Sequence, residues 1–208
     1  MIRCEFCDRP AALTREHVFP RWLVTRLKAW QVTPSAADVP APALSQRIAR
    51  MTVSVCADCN AGWMSTLEVA FRQAVFPKSR VGLIAHPTRT VMSRWFTKTA
   101  IVIARASAHE FLPTISRIDL ARSMPAGVHV DLARLRRPRQ PLDCALGLRD
   151  SAQDAASART VMVQVGDLVA LVGGEPMPRA DARGTRLWPL RSHAMRWETL
   201  PVVTRLIP

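Results

Sequence analysis

The architecture of this chain follows from one segment, Val55-Cys56-Ala57-Asp58-Cys59-Asn60-Ala61-Gly62-Trp63-Met64-Ser65-Thr66-Leu67-Glu68. It contains a Cys-x-x-Cys pair that leads directly into an Asn and a helical pattern. A second pair, Cys4 and Cys7, lies near the N-terminus. Each pair is typical of a tight turn, or knuckle, that presents two sulfurs to one ion. We therefore expect structural Zn²⁺ on Cys4, Cys7, Cys56 and Cys59.

The segment between the two knuckles carries an acid and a histidine side by side. Residues 14–19 favour a short strand that holds Glu16 and His17, and Pro20 opens a helix predicted over 21–30. The zinc would place this strand beside the helix that contains Asn60. A neutral imidazole can take a proton from water near pH 7, and carboxylate and amide oxygens suit Mg²⁺. The arrangement predicts a hydrolytic metal site.

Each of these residues also has a structural interpretation. His17 could be a core histidine or a surplus zinc ligand, and Asn60 could cap the helix. Glu68 lies eight residues after Asn60 on the same helical face, where it could approach the ion. Ser65 and Glu68 also form the S-x-x-E pattern of a capping box. The residues alone leave these alternatives open.

The order C-x-x-C, E-H-V-x-P and C-x-x-C-N-x-G-W-M resembles the HNH endonucleases (ββα-metal, His-Me finger) that carry a structural zinc. More narrowly, it is similar to HNH-like bacterial proteins with a C-N-x-G-W-M-S-x-L-E signature. The resemblance is specific over residues 1–72. It implies a metal-dependent nuclease in which His17 is the general base and Glu16 and Asn60 bind catalytic Mg²⁺ or Mn²⁺; Glu68 is a further candidate from its helical spacing alone. The implied substrate is nucleic acid, with DNA as the expected form.

Two positions depart from the family pattern. No Asn precedes the second knuckle to orient the base, so Thr52, Ser54 or a backbone carbonyl must take its place. Met64 stands where many members carry a His. These departures favour an alternative function, a non-catalytic zinc-binding module that interacts with nucleic acid or with a protein.

Charge is the strongest compositional signal. The chain has 29 basic and 16 acidic residues, a net charge of +13, which favours a polyanionic partner. The cluster of Arg134, Arg136, Arg137 and Arg139 could contact phosphates, or could be a solvated loop. Apolar runs fall short of the ~20 residues that cross a bilayer. We expect no signal peptide, and cysteines at metal-ligand spacing then predict a reducing cytoplasm.

The predicted fold class is α+β. Residues 1–76 are expected to form a zinc-stapled ββα-metal finger, with a Pro- and Ala-rich loop insertion at 31–46. Residues 77–208 are expected to form a C-terminal α+β domain. Its main elements are a long helix near 90–108, a loop at 149–159 and a β-hairpin at 160–173. The fifth cysteine, Cys144, is expected to be a small apolar residue of the core.

Overall fold

The computed structural model describes residues 2–27, 51–77, 80–138, 140–148, 158–174, 184–190 and 194–204. The predicted insertion at 31–46, the end of the helix predicted over 21–30 and Arg139 lie outside these residues. Among the described helices, none is both long and apolar enough to cross a bilayer.

The N-terminal region is built on a two-stranded antiparallel sheet. Strand β1 (Leu13–His17) pairs with β2 (Thr52–Cys56), and Leu13 lies opposite Cys56. This register holds the start of β1 beside the second knuckle. The first knuckle adds to the same sheet, because the Glu5 N–H donates to the carbonyl of Ser54 at 3.1 Å. Helix α1 (Arg21–Arg26) follows directly after Pro20.

Two helical segments follow the second knuckle. A π-helical segment, α2 (Asp58–Met64), continues into α3 (Ser65–Val75) through a kink at Gly62, where φ is −87° and ψ is −110°. Helix α3 buries a narrow apolar stripe at four-residue spacing, which is the pattern of an amphipathic surface helix. The stripe consists of Leu67, Phe71 and Val75.

Helix α4 (His86–Ala106) is the centre of the molecule. Its apolar residues pack against α3 on one side and against the large sheet on the other. Phe71 stacks on Trp95 with ring centroids 3.7 Å apart and planes 7° apart. The predicted long helix is confirmed, and it begins earlier than predicted because Pro87 is well suited to a first helical turn. A short helix, α5 (Thr114–Asp119), follows.

Helix α4 is also linked to the first knuckle by charge. Arg105 donates to both carboxylate oxygens of Glu5, at 2.8 and 3.1 Å. Such bidentate pairs are stronger and more specific in geometry than single hydrogen bonds. Glu5 lies between Cys4 and Cys7, so this pair fixes the first knuckle against the end of α4.

The C-terminal region is a six-stranded sheet. Its central path runs in the order β4-β5-β6-β3-β7, and β8 lies parallel to β3. The predicted hairpin is confirmed as β5 and β6, joined at Gly166 (φ 62°) and Asp167. The strands are β3 (His129–Leu135), β4 (Leu142–Leu148), β5 (Ala158–Val165), β6 (Leu168–Gly173), β7 (Thr185–Trp188) and β8 (Val202–Val203).

The sequence analysis missed β4, and the loop predicted at 149–159 is wrong at its end, where β5 already begins at Ala158. The α+β class is confirmed. The order β1, β2 and helix agrees with a ββα-metal finger, but that finer assignment stays a prediction. Most of the buried apolar residues of the two predicted domains form one continuous cluster that includes α4, and a smaller cluster lies in the large sheet at Ala133, Met162, Val169 and Leu171.

Candidate metal centre and adjoining acidic cavity

The four predicted zinc ligands converge on one point. One sulfur atom from each of Cys4, Cys7, Cys56 and Cys59 lies within 4.8 Å of the others. The Cys7 and Cys56 sulfurs are 3.6 Å apart. In a tetrahedral zinc site with Zn–S bonds of about 2.3 Å, neighbouring sulfurs are about 3.8 Å apart. The cluster therefore has the dimensions of a single four-coordinate metal centre, such as a structural zinc site.

The first knuckle is a turn of the kind that zinc sites require. Asp8 has a φ of 56°, a left-handed conformation that Asp tolerates better than most residues. The Asp8 N–H donates to the Cys4 carbonyl at 2.9 Å, and the Cys4 N–H donates to the Arg9 carbonyl at 3.1 Å. These bonds close the loop tightly around the two sulfurs.

N–H groups surround the sulfurs, as thiolate ligands require. The Arg9 side chain donates to Cys7 Sγ at 3.5 Å. Burial would raise the pKa of the Cys7 thiol, but the side-chain and backbone hydrogen bonds of Arg9 outweigh it and lower that pKa to about 6. Burial raises the pKa of the Cys59 thiol, and an interaction with the buried indole N–H of Trp63 acts against that rise.

Two of the thiols need a cation to ionise. Burial raises the pKa of Cys56 and, much more, that of Cys59. Zinc binds thiolates and releases their protons, so it supplies the charge that these buried groups lack. The residues present thus fit a zinc ion in both geometry and chemistry.

Asn60 ties the second knuckle to strand β1. Its Nδ2 donates to Thr14 Oγ1 at 2.9 Å and approaches the Arg15 carbonyl at 3.5 Å. Thr14 Oγ1 in turn donates to the Val55 carbonyl at 3.0 Å. Asn60 lies inside α2 and does not cap it, since α2 starts without a side-chain cap. The predicted proximity of Asn60 to the strand of Glu16 and His17 is therefore present.

A polar cavity opens beside Asn60. Its volume is about 360 Å³, and it is lined by Thr14, Ala57, Asn60, Ala61, Ser65 and Glu68. The capping box considered for Ser65 and Glu68 does not form, because α3 continues α2 and starts without a side-chain cap. Glu68 faces the cavity instead. The capping interpretation of Glu68 is thereby excluded, and its role in binding an ion stays a prediction.

Glu16 is held by a lysine that the sequence analysis did not include in the site. The Lys98 ammonium, on α4, donates to Glu16 at 2.5 Å and to Glu68 at 3.2 Å. The Lys98 side chain is 0 % exposed and that of Glu16 is 9 % exposed. Sequence did contain a signal, because Lys98 is one of only three lysines in a chain with 26 arginines and it interrupts an apolar helix.

His17 ends β1, opposite Thr52 of β2. It is half-buried, and within the described residues its ring has no hydrogen-bond partner. Successive side chains of a strand point to opposite faces, so His17 lies on the face away from Thr14 and Glu16. The structure brings Asn60, Thr14 and Glu68 together and joins Glu16 to them through Lys98. It does not bring His17 into the cavity.

Comparison with known proteins gives no family. No family model, curated protein or solved structure matches this chain. The nuclease function implied by the HNH resemblance therefore remains a proposal, which depends on the contacts of the metal centre and its cavity.

The arginine cluster is divided by the fold. Arg134 belongs to strand β3 and pairs with Asp167 at 2.9 Å, so it is not part of a free loop. Arg136 and Arg137 are exposed and form no ion pair within the described part of the chain. These two remain available to a phosphate backbone, and Arg139 lies outside the described residues.

Proposed function

We propose that this protein is a zinc-stapled, metal-dependent endonuclease that hydrolyses nucleic-acid phosphodiester bonds at the cavity beside Asn60. One observation carries the proposal. The amide of Asn60, which directly follows the cysteine cluster, is bonded to the strand that bears Glu16 and His17, and it shares a polar cavity with Glu68. The zinc centre supports this arrangement, because it fixes the start of α2 against β1.

The cavity fits a hard divalent ion. Asn60 and Glu68 offer amide and carboxylate oxygens, and Thr14 and Ser65 offer hydroxyl oxygens, which are the ligand types that Mg²⁺ and Mn²⁺ prefer. Lys98 contacts both carboxylates, Glu16 at 2.5 Å and Glu68 at 3.2 Å, but only Glu68 lines the cavity, so Glu16 does not fit the same role. When bound, such an ion would stabilise charge on the leaving oxygen of the phosphodiester.

His17 is the proposed general base. Its imidazole has no partner within the described residues, so a ring nitrogen is available to accept a proton from water. It lies outside the cavity lining and on the face of β1 opposite Thr14, so this role requires the His17 ring to move toward the cavity when substrate binds. The net charge of +13 and the exposed Arg136 and Arg137 would attract a nucleic-acid backbone, with DNA as the expected substrate.

The test is nicking of supercoiled plasmid in Mg²⁺ or Mn²⁺. We expect His17→Ala to lose cleavage while its melting temperature stays close to that of the wild type, and Asn60→Ala to lose cleavage with a small fall in melting temperature, because its hydrogen bond to Thr14 is lost. His86→Ala is the matched control, because His86 is an exposed histidine at the start of α4. Cleavage that survives in His17→Ala, or that is lost equally in His86→Ala, would exclude His17 as the base.

The contact between Lys98 and Glu16 favours a second function. Lys98 is hydrogen-bonded to the Glu16 carboxylate, and His17 lies outside the cavity, as expected if the site binds a partner without catalysis. The protein would then be a non-catalytic zinc module for nucleic acid or a protein partner. Nicking and binding assays on the same plasmid distinguish the two functions. Tight binding without cleavage by the wild type, weakening steeply as salt rises, would support a nucleic-acid-binding module.

A further inference from the structure

We propose that Lys98 is the resident cation of the Glu16–Glu68 pair, and that this pair becomes a divalent-cation site when Lys98 is removed. Glu16 belongs to β1, Glu68 to α3 and Lys98 to α4, so three elements meet at this one charge. The inference goes beyond the proposed nuclease and does not require cleavage.

The lysine is fully buried and contacts three groups that bind cations. Two of its three N–H bonds point to carboxylate oxygens, at 2.5 and 3.2 Å. The face of the Trp95 ring lies 5.8 Å from the ammonium, within the range of a cation–π contact. A buried ammonium and buried carboxylates are each costly unless they are paired. The positive charge of Lys98 therefore compensates the negative charges of Glu16 and Glu68, and their charges compensate that of Lys98.

The same geometry would suit a metal ion. The two carboxylate oxygens contact one nitrogen at 2.5 and 3.2 Å, so a small movement of the side chains would let both bind one ion between them. Carboxylate oxygens select hard cations such as Mn²⁺ and Mg²⁺. Glu68 also lines the open cavity, which provides a path from solvent for a hydrated ion. In the wild-type chain the lysine already holds this position, and Glu16 is thereby closed to metal.

The test uses the full-length, zinc-loaded chain with Mn²⁺ as the probe. The loss of the free-Mn²⁺ signal in electron paramagnetic resonance counts bound ions, and thermal melting reports stability. We expect Lys98→Ala to melt below the wild type, to bind one Mn²⁺ more per chain than the wild type, and to regain stability when Mn²⁺ is added. The Lys98→Ala protein should bind Mn²⁺ at this position at least tenfold more tightly than the wild type does.

Two further variants control this result. Lys98→Met removes the charge but fills the volume, so it should be destabilised without rescue by Mn²⁺. Lys98→Ala combined with Glu16→Gln should lose the additional ion. If the additional ion is absent in Lys98→Ala, or persists in the double variant, the proposal is wrong.

A third arm covers the case in which Lys98→Ala does not fold. Glu16→Gln in the otherwise wild-type chain should leave Mn²⁺ binding unchanged, because Lys98 already keeps metal away from Glu16. A loss of Mn²⁺ binding in that variant would overturn the proposal. The result is independent of nuclease activity, since an inactive protein can gain the Mn²⁺ site and an active one can fail to gain it.

Discussion

Replacement of Cys56 by serine tests the metal centre most directly. Cys56 is 3 % exposed and its sulfur lies 3.6 Å from that of Cys7. Serine keeps the size of the side chain, but its hydroxyl does not ionise near neutral pH, so one of four metal–sulfur bonds is lost. Structural zinc contributes about 10–16 kcal/mol of apparent binding free energy in zinc-finger peptides, or about 3 kcal/mol or more per ligand. That loss corresponds to a fall of about two orders of magnitude in zinc affinity.

A loss of this size is large against the whole stability of a domain, which is typically about 5–15 kcal/mol. The N-terminal sheet and α2 depend on the cluster directly, so we expect Cys56→Ser to lower the melting temperature as well as the zinc content. The measurements are zinc per chain by mass spectrometry after dialysis against a weak chelator, and thermal melting with and without added zinc.

The fifth cysteine supplies the control. Cys144 lies on β4, outside the cluster, and burial, with a smaller contribution from the charge of Asp143, raises the pKa of its thiol to about 12. Cys144→Ser should keep one zinc per chain. A Cys56→Ser protein that retains full zinc and melts like the wild type would refute the four-sulfur centre, as would a wild-type protein that never takes up zinc.

Three other predictions follow from the contacts described above. Phe71→Ala removes a fully buried, stacked ring and should lower the free energy of unfolding by about 3–5 kcal/mol in urea titrations; Val69→Ala, at an exposed position of the same helix, should change it by less than about 0.5 kcal/mol. Burial would raise the pKa of Asp167, but its ion pairs with Arg80 and Arg134 outweigh the effect of burial and lower that pKa. Its stabilisation is therefore full above the unfolded pKa of about 3.9 and is lost as pH falls through the folded pKa. Asp167→Asn should lower stability at pH 7 and flatten the acid limb of the stability profile, and an unchanged limb would contradict the pairing. Replacing Arg136 and Arg137 by glutamate should weaken binding to a DNA duplex and reduce its salt dependence; equal salt slopes would remove them from the interface.

The sequence predicted the features that depend on local spacing. A Cys-x-x-Cys knuckle needs only neighbouring residues, so all four sulfurs were assigned before any coordinates. The β5–β6 hairpin was predicted for the same reason, since alternation and a Gly166-Asp167 turn lie within one short stretch. The end of β1 was placed within two residues because Pro20 follows it.

The features that were missed depend on long-range contacts. Lys98 meets Glu16 across 82 residues of chain, and nothing near either residue indicates the partner. The capping box at Ser65 failed because α2 had already begun the helix, so no free helix start existed there. Arg134 looked like part of a basic loop because its partner, Asp167, is supplied by a distant hairpin.

The counter-charges carried by α4 have a consequence for how the chain can be divided. Glu5 and Glu16 belong to the zinc region, yet their cations, Arg105 and Lys98, arrive from the far side of residue 80. A break in the backbone just after residue 77 would leave one piece with the four clustered thiols but without the cations that pair with Glu5 and Glu16, and a second piece with the helix that carries those cations. The metal centre therefore has all of its sulfurs in one part of the chain and depends on another part for the cations that balance two of its neighbouring carboxylates.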